Sequence, residues 1–289
     1  MPELPEVETV RRGLQQLVAG SEVKRITILD SRAVRRNSEG SKGFVNGLID
    51  QKFTIFIRRG KFLWAPISGT KCLVAHLGMS GQILVRTPDY PTDRCERVKL
   101  LIERNGRCLE LRFVDQRLFG GVYLDRLVQN TRQESVPEST RHIAPDPLEP
   151  AFDLKSVALT LSRRKAGIKS LLLNQGIVSG IGNIYADETL WQAKVHYLTP
   201  VSALSISEII QILKIAQRVL IKAVQQGGTS FDQQYKNVNG KSGNFAQSLR
   251  AYGKAGTPCK RCKTPIVRAT WSNRGSHFCP QCQIIRSQI

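Results

Sequence analysis

Two pairs of cysteines near the end of this 289-residue chain do most to constrain how it folds. Cys259 and Cys262 form one C-x2-C knuckle, a 16-residue spacer follows, and Cys279 and Cys282 form the second knuckle. This spacing is typical of a structural zinc site, in which each knuckle chelates the metal and the spacer folds into a β-hairpin. The metal replaces the hydrophobic core that so short a unit cannot build. The sequence therefore predicts one structural Zn²⁺ held by four thiolates.

His277 and the three remaining cysteines are expected to take no part in this site. Four thiolates already complete a tetrahedral set, so we expect His277 at the surface of the hairpin. Cys72, Cys95 and Cys108 are scattered along the chain. In a reducing compartment, each is expected to be a single buried or surface thiol.

The net charge points to a polyanionic partner. The chain carries 43 Lys and Arg against 23 Asp and Glu, a formal charge of +20. Residues 151–289 hold 19 of the basic side chains and only 5 of the acidic ones. Nucleic acid is the commonest soluble polyanion; an anionic membrane surface, or no polyanion at all, stays open. No apolar run approaches the ~20 residues of a membrane span and no signal-peptide pattern is present. We therefore expect a cytoplasmic protein and, by default, a monomer.

The first half of the chain has the pattern of an antiparallel β structure. After an amphipathic helix, residues 22–125 show short alternating runs, and Asn105-Gly106 is a clear hairpin turn. Several short strands at this spacing predict a sandwich or a barrel. The predicted strands lie at 53–58, 61–64, 72–75, 82–85, 98–102 and 109–113.

A change of composition separates this region from a helical one. Residues 128–150 are polar and contain four prolines, so we interpret them as a linker. Beyond them, helices are predicted at 154–161 and from 168 to 173. A glycine-rich turn follows, and Asn183 is well placed to cap a helix over 184–194.

The last predicted helix has the clearest limits. Ser205 and Glu208 form a capping box at its start, and an apolar stripe continues until Gly227 and Gly228 end it. Residues 229–245 are polar and contain glycine, which predicts a mobile loop before the zinc unit.

The first residues carry the strongest chemical signal. If the initiator methionine is removed, Pro2 becomes a terminal secondary amine, followed closely by Glu3 and Glu6. An α-amino group titrates near ~8 and a lysine near ~10.4, so far more of the former is neutral and reactive at neutral pH. An iminium formed by a secondary amine cannot lose an N–H proton and stays an electron sink for elimination. A plain helix start also favours proline and glutamate, and this segment alone leaves both interpretations open.

Five motifs follow one another along the chain: PELPEVET at 2–9, HLGMSG at 76–81, GIGNIYADE at 180–188, QGGT at 226–229 and the four-cysteine finger. Together they closely resemble the bacterial formamidopyrimidine-DNA glycosylase family. The resemblance extends over nearly the whole sequence, in order.

The resemblance implies an α+β multidomain fold. A catalytic β-sandwich domain with flanking helices would occupy residues 1–127, followed by the linker at 128–150. A helix–two-turn–helix DNA-binding domain would occupy residues 151–228, and a lesion-capping loop residues 229–245. A β-hairpin zinc finger would occupy residues 246–289.

The resemblance also implies a bifunctional DNA glycosylase and AP lyase of base excision repair, acting on damaged double-stranded DNA. It would flip the damaged nucleotide out of the duplex, excise 8-oxoguanine or formamidopyrimidines, and nick the strand by β,δ-elimination. Pro2 would form a Schiff base with C1′, Glu3 would serve as acid and base, and Glu6 would orient the amine or a water. Lys61 would contact a phosphate and assist catalysis; from the residues alone, a solvated hairpin lysine is the alternative.

Two turns would fill the void that the flipped base leaves. Met79 would wedge into the gap, Arg117 would face the orphaned cytosine, and Phe119 would wedge the stack. Core packing is the alternative for Met79 and Phe119. Gln116 and Leu118 depart from the commoner DPRRFG form of the second turn, which leaves its rigidity open.

Phosphates flanking the lesion would be held by Asn183, at a helix start, and by Arg274 in the finger. Arg274 has basic neighbours, so a solvated charge is its alternative. Two other functions also stay open. An endonuclease VIII-type glycosylase for oxidised pyrimidines shares Pro2, Glu3 and the finger, although the two void-filling turns favour the purine enzyme. A non-catalytic zinc-ribbon nucleic-acid binder is compatible with the composition but leaves the Pro2-Glu3 pair unexplained.

Overall fold

The chain divides into two structural units. One comprises Met1–His142 and Gly227–Gly243, and the other comprises Ile143–Gln226 and Asn244–Ile289. The structure is a computed structural model that describes residues 2–229, 238–240 and 242–286. Part of the predicted loop at 229–245, namely 230–237 and 241, lies outside the described residues.

In its described residues, the first unit is a pair of antiparallel sheets with two α-helices. The helices are α1 (Leu4–Leu17) and α2 (Gly40–Leu48). The strands are β1 (Glu22–Ile28), β2 (Ile57–Arg59), β3 (Phe62–Pro66), β4 (Lys71–His76), β5 (Gln82–Arg86), β6 (Glu96–Arg104), β7 (Arg107–Val114), β8 (Gly121–Gln129) and β9 (Ser135–Pro137). One sheet has the order β1-β6-β7-β5 and the other the order β2-β3-β4-β8-β9.

The two sheets enclose a common hydrophobic core, which confirms the predicted β-sandwich. Leu63 and Leu73 from the five-stranded sheet lie in one buried cluster with Leu100 and Phe113 from the four-stranded sheet. Leu14 of α1 belongs to the same cluster, because the apolar stripe of this helix faces the sheets. The core therefore holds α1, and with it the start of the chain, against the sandwich.

In the first unit, the predicted hairpin turn is confirmed, the strand predicted over 53–58 starts later than expected, and the predicted linker contains a strand. The hairpin at Asn105-Gly106 joins β6 to β7, and both turn residues have positive φ, 51° and 74°. The strand predicted over 53–58 begins only at Ile57. Before it, the amide of Phe56 donates to the side chain of Gln15 in α1 at 2.9 Å instead of joining a ladder. Residues predicted as a linker, 128–150, include β9, which pairs with β8.

The second unit is helical and ends in a β-hairpin. Its helices are α3 (Leu154–Ser162), α4 (Ile168–Leu172), α5 (Asn183–Ala193) and α6 (Ile206–Gln225). The hairpin consists of β10 (Val267–Trp271) and β11 (Arg274–Phe278). The predicted capping box is present, since Ser205 Oγ accepts the amide of Glu208 at 3.2 Å and Glu208 Oε2 accepts the amide of Ser205 at 2.9 Å.

Glu8 fastens α1 to the five-stranded sheet. Its carboxylate accepts from Arg11 at 2.9 Å, from Arg12 at 2.8 Å and from Arg58 of β2 at 3.0 Å. Burial alone would raise the pKa of Glu8, but the hydrogen bonds and charges of these arginines outweigh it and lower the pKa from 4.5 to about 2. The ionised form is therefore bound more strongly in the folded chain than in the unfolded one.

Replacing Glu8 by Gln should reduce the free energy of unfolding at neutral pH by about 2–3 kcal/mol, because it removes the buried carboxylate charge that pairs with Arg58 and Arg11. The pKa in the folded state lies below the unfolded value of 4.5, so this stabilisation is present above that pH and is lost as the pH falls toward about 2. Urea denaturation should therefore show the difference from the parent protein shrinking in acid. Glu22→Gln, which breaks an exposed pair with Lys24, is the control and should have no measurable effect. An equal effect of both substitutions would contradict the assignment.

Candidate active site and nucleic-acid interface

The start of α1 is buried and bonded to a distant segment of the chain. Pro2 and Glu3 precede the helix, and Glu3 and Glu6 are each only 2 % exposed. Glu6 Oε2 accepts the amide of Glu3 at 2.8 Å, while Glu6 Oε1 accepts the amide of Thr229 at 2.7 Å and its hydroxyl at 3.0 Å. Gly228 has φ +81°, and a Cβ at this position would lie 2.7 Å from Glu6 Oε1, so a larger residue would strain the backbone and displace this carboxylate. One carboxylate thus joins the helix start to the Gly228-Thr229 segment.

A second group of polar side chains lies where β3 and β4 meet. Lys61 occupies the turn between β2 and β3, next to Phe62, which pairs with His76 across the two strands. Burial and then the charges of Arg36 and Lys61 lower the pKa of His76 to about 4. His76 is therefore neutral at neutral pH, and its buried Nδ1 has no hydrogen-bond partner among the described residues.

This arrangement suits an anion. Arg36 and Lys61 are close enough for their charges to lower the pKa of His76, and two neighbouring cations favour a phosphate oxygen. The sequence predicted Lys61 here but not His76. His76 could have been identified from the sequence, since it is the first residue of the HLGMSG motif.

The two predicted void-filling turns project side chains into solvent. Met79 is 45 % exposed and Phe119 is 53 % exposed, so core packing does not explain either residue. Arg117 Nη1 lies 4.0 Å from Met79 Sδ, which brings the side chains of the two turns together. Large exposed apolar side chains of this kind mark a surface that contacts a partner.

In the second unit, Asn183 and the finger turn are directly bonded. The prediction that Asn183 caps its helix is wrong: the cap position is Gly182 and Asn183 is the first helical residue. Its side chain is used elsewhere, because Nδ2 donates to the carbonyl of Gly275 at 2.8 Å. Gly275 follows Arg274, which is exposed at the start of β11. Asn183 and Arg274 therefore lie at the same end of the hairpin.

A buried acidic residue that sequence reasoning missed holds this hairpin against α5. Asp187 Oδ1 lies 2.6 Å from Lys169 Nζ, and Asp187 Oδ2 accepts the amide of His277 at 2.8 Å. Lys169 Nζ also donates to Ser276 Oγ at 2.8 Å. The prediction of a surface position for His277 is wrong, because this residue lies on the hairpin face turned toward α5 and is only 8 % exposed. The two adjacent acids inside the GIGNIYADE motif, Asp187 and Glu188, could have indicated this site from the sequence.

Glu188, which follows Asp187 in α5, fixes a loop of the same unit. Glu188 accepts the amides of Arg250, Ala251 and Tyr252 at 2.8–3.0 Å. Burial, the largest influence, raises the pKa of Glu188 despite these three bonds. The two acids of α5 therefore anchor both the loop before the finger and the finger hairpin.

The four predicted cysteines form one cluster. Their sulfur atoms all lie within 4.8 Å of one another, and those of Cys262 and Cys279, and of Cys262 and Cys282, are 3.4 Å apart. Four sulfurs at the ~2.3 Å bond length of tetrahedral Zn–S coordination lie about 3.8 Å apart, so the cluster fits that ion. A set of four thiolates also matches a structural site, since it leaves no position for a reacting water.

Three domain families match the chain in succession. Residues 1–122 match the formamidopyrimidine-DNA glycosylase N-terminal domain, residues 143–234 the H2TH domain of the same enzyme, and residues 256–284 the zinc finger found in FPG and IleRS. No helix in the described part of the chain is long and apolar enough to cross a membrane.

Full-length relatives and solved structures agree with these matches. The chain is 48% identical to the formamidopyrimidine-DNA glycosylase of Thermobifida fusca (strain YX), over 98% of this chain and 97% of that protein. It is also 48% identical to that of Corynebacterium glutamicum (strain R), over 98% and 99%. The Lactococcus lactis Fpg in complex with DNA that contains an abasic site superposes with a TM-score of 0.83 at 31% identity, over 97% of this chain and 99% of that one.

A β-sandwich, an H2TH domain and a four-cysteine finger, with these relatives, define the protein as a DNA glycosylase that acts on damaged bases. The chain belongs to the formamidopyrimidine-DNA glycosylase family. The family, the fold class and the enzyme class predicted from the sequence are thereby confirmed.

Replacing Cys279 by Ser should remove the metal, because three thiolates and a hydroxyl bind zinc far more weakly than four thiolates. We expect elemental analysis to show loss of bound zinc and titration to show loss of DNA binding, while the first unit remains folded. Cys108→Ser, at an exposed thiol outside the cluster, should retain both properties. Full zinc content and DNA affinity in the Cys279→Ser variant would contradict the metal site.

Proposed function

We propose that this enzyme excises oxidised purines, 8-oxoguanine and formamidopyrimidines, from double-stranded DNA and then cleaves the strand through a Schiff base on Pro2. The observation that carries the proposal is the buried Pro2-Glu3-Glu6 segment, which is held in place by Thr229. A nucleophile must be positioned closely to gain the rate advantage of an intramolecular reaction. The bonds of Glu6 provide that positioning.

The chemistry requires that Met1 be removed, so that Pro2 carries a free secondary amine. Its lone pair attacks C1′ of the damaged nucleotide, and the glycosidic bond breaks as the base leaves with a proton. Glu3, next in the chain, is the acid and base that helps to open the sugar ring. The resulting iminium withdraws electrons, so loss of a C2′ proton expels the 3′ phosphate and a second elimination expels the 5′ phosphate.

Glu6 is better suited to orientation than to proton transfer. Both of its oxygens accept hydrogen bonds, from the Glu3 amide and from Thr229. Through the Glu3 amide it fixes the direction of the segment that carries Pro2. Glu3 remains the residue that we propose for proton transfer.

Contacts to DNA are proposed in both units. Lys61, with His76 beside it, would bind a phosphate near the lesion, and Asn183 and Arg274 would bind flanking phosphates. Met79, Arg117 and Phe119 would enter the stack and replace the flipped nucleotide. Zn²⁺ held by Cys259, Cys262, Cys279 and Cys282 would only stabilise the finger. We propose that the enzyme works as a monomer on chromosomal DNA, and that residues 229–245 cap the lesion.

Replacing Pro2 by Gly, or extending the chain by one residue before Pro2, should abolish or greatly weaken the covalent adduct that borohydride traps on an 8-oxoguanine duplex. The glycine substitution removes the secondary amine, and the added residue converts the Pro2 nitrogen to an amide. Affinity for a duplex with a tetrahydrofuran abasic analogue should be unchanged. Pro5→Ala, at the second proline of the same segment, is the control and should be trapped normally. Normal trapping by the extended chain would refute the nucleophile.

The substrate class is decided by a direct competition. We expect kcat/KM to be higher for 8-oxoguanine opposite cytosine than for an oxidised pyrimidine in the same sequence, because the proposed role of Arg117 is to pair with the orphaned cytosine. The Lactococcus lactis FPG has itself been solved with DNA containing an oxidised pyrimidine, so both lesions are tested. A preference for the pyrimidine would favour the endonuclease VIII-type alternative.

A further inference from the structure

The two turns that carry the exposed side chains are joined by one buried carboxylate. The first turn comprises residues 77–81 between β4 and β5, and the second comprises residues 115–120 between β7 and β8. Asp115 is 0 % exposed. Its Oδ1 accepts the hydroxyl of Ser80 at 2.5 Å, and its Oδ2 accepts the amide of Gly120 at 2.8 Å. A single side chain thus binds the first turn through Ser80 and closes the second turn on itself.

Ser80 and the main chain of Asp115 leave this carboxylate little freedom. Ser80 Oγ donates to Asp115 and also accepts the amide of Arg117 at 3.1 Å, an amide that Asp115 Oδ1 shares at 3.1 Å. The amide of Asp115 donates to the carbonyl of Cys95 at 3.1 Å, and its carbonyl accepts Arg97 Nε at 2.9 Å. The carboxylate therefore cannot shift without breaking bonds to other segments.

The backbones of the two turns are in direct contact. Gly78 has φ +59°, and a Cβ at this position would lie 2.4 Å from the nitrogen of Gly120. A Cβ on Gly120 would lie 2.6 Å from the carbonyl oxygen of His76. With no side chain between them, a displacement of one turn is transmitted to the other.

The second turn has no proline ring to restrict its backbone, since residues 115–120 read DQRLFG. Leu118 has φ +54°, a conformation that a residue with a Cβ rarely adopts. Its side chain packs against the hydrophobic core, which anchors the turn from below while Asp115 anchors it from within.

We infer that Asp115, acting with Ser80, is a positioning residue that makes the two turns one rigid wedge, so that Met79, Arg117 and Phe119 enter the duplex together. The inference rests on the proposed function in giving these three side chains their role in the stack. Preorganised side chains lose less conformational freedom on binding, and a wedge held by a fully bonded buried carboxylate is ordered before DNA arrives.

The test uses the variants Asp115→Asn and Ser80→Ala in the full-length zinc-loaded enzyme. Asn has nearly the shape of Asp, but its amide nitrogen cannot accept a hydrogen bond. In either orientation this nitrogen would face a donor, which is the Gly120 amide on one side and the Ser80 hydroxyl and Arg117 amide on the other. Asp125→Asn is the matched control, since Asp125 also accepts two backbone amides, those of Arg126 and Ser139, in the same unit. Thermal melting of all variants shows which of them remain folded.

Wedge insertion is measured by stopped-flow fluorescence of 2-aminopurine placed beside a tetrahydrofuran abasic analogue. We expect both Asp115→Asn and Ser80→Ala to slow the fluorescence change and the single-turnover excision of 8-oxoguanine by about 10- to 100-fold, the scale of a misplaced contact. Asp125→Asn should leave both rates unchanged. Normal fluorescence kinetics in a folded Asp115→Asn variant would overturn the inference.

A double-mutant cycle separates positioning from a general loss of structure. In a Met79→Ala, Phe119→Ala background, Asp115→Asn should cause a much smaller further loss of excision than in the parent enzyme, because two of the three side chains that it positions are already gone. A full additional loss there would overturn the inference. Failure of the proposed function would appear differently: the parent enzyme would form no borohydride adduct, while the fluorescence measurement on the abasic analogue would still report on the wedge.

Discussion

A single buried carboxylate, that of Glu6, is the interaction on which the amino-terminal site depends. It accepts the amide of Glu3 on one side and both donors of Thr229 on the other. A buried carboxylate is tolerated only when its oxygens are hydrogen-bonded, and here the partners come from sequence positions more than 220 residues apart. The first turn of α1 is thereby fixed to the Gly228-Thr229 segment. Nearby, Glu8 fixes the same helix to β2 through Arg58.

Each of the two units contains a buried, hydrogen-bonded carboxylate that orders a surface segment. In the first, Asp115 joins two turns that display Met79 and Phe119. In the second, Asp187 of α5 holds the finger hairpin through Lys169 and the amide of His277. In each case a bonded buried acid orders a short surface segment that carries the side chains proposed to meet DNA. Breaking such a bond leaves buried donors unpaired and is costly.

Most local features were predictable from the sequence, although Asn183 is not the cap of α5, and long-range packing was not predictable. The Asn105-Gly106 turn, the capping box at Ser205 and the cysteine cluster each depend on residues close together in sequence, and all three are confirmed. Helix α2 was not predicted, because its glycines have low helix propensity and it is stabilised by burial of Phe44 and Leu48. His277 was misplaced because its burial depends on which hairpin face meets α5.

For the candidate site, too, the residue types were predictable from the sequence and the long-range contacts were not. Its residue types came from motifs and from the resemblance of those motifs to a family, and the roles of Pro2, Glu3 and Lys61 remain predictions. The bonds that position them were not visible in the sequence, since Glu6 meets Thr229 and Ser80 meets Asp115 only after the chain has folded. His76 and Asp187 lie inside quoted motifs, yet their burial and partners required the structure.

The central claim is that the amine of Pro2 bonds to a deoxyribose carbon. Peptide mapping by mass spectrometry of the borohydride-trapped complex tests it most directly. The account predicts that the DNA remnant is attached to the amino-terminal nitrogen of the peptide that begins at Pro2 and ends at Arg11, with Met1 absent. A remnant attached to Lys61 or to any other lysine, or an active enzyme that retains Met1, would contradict it.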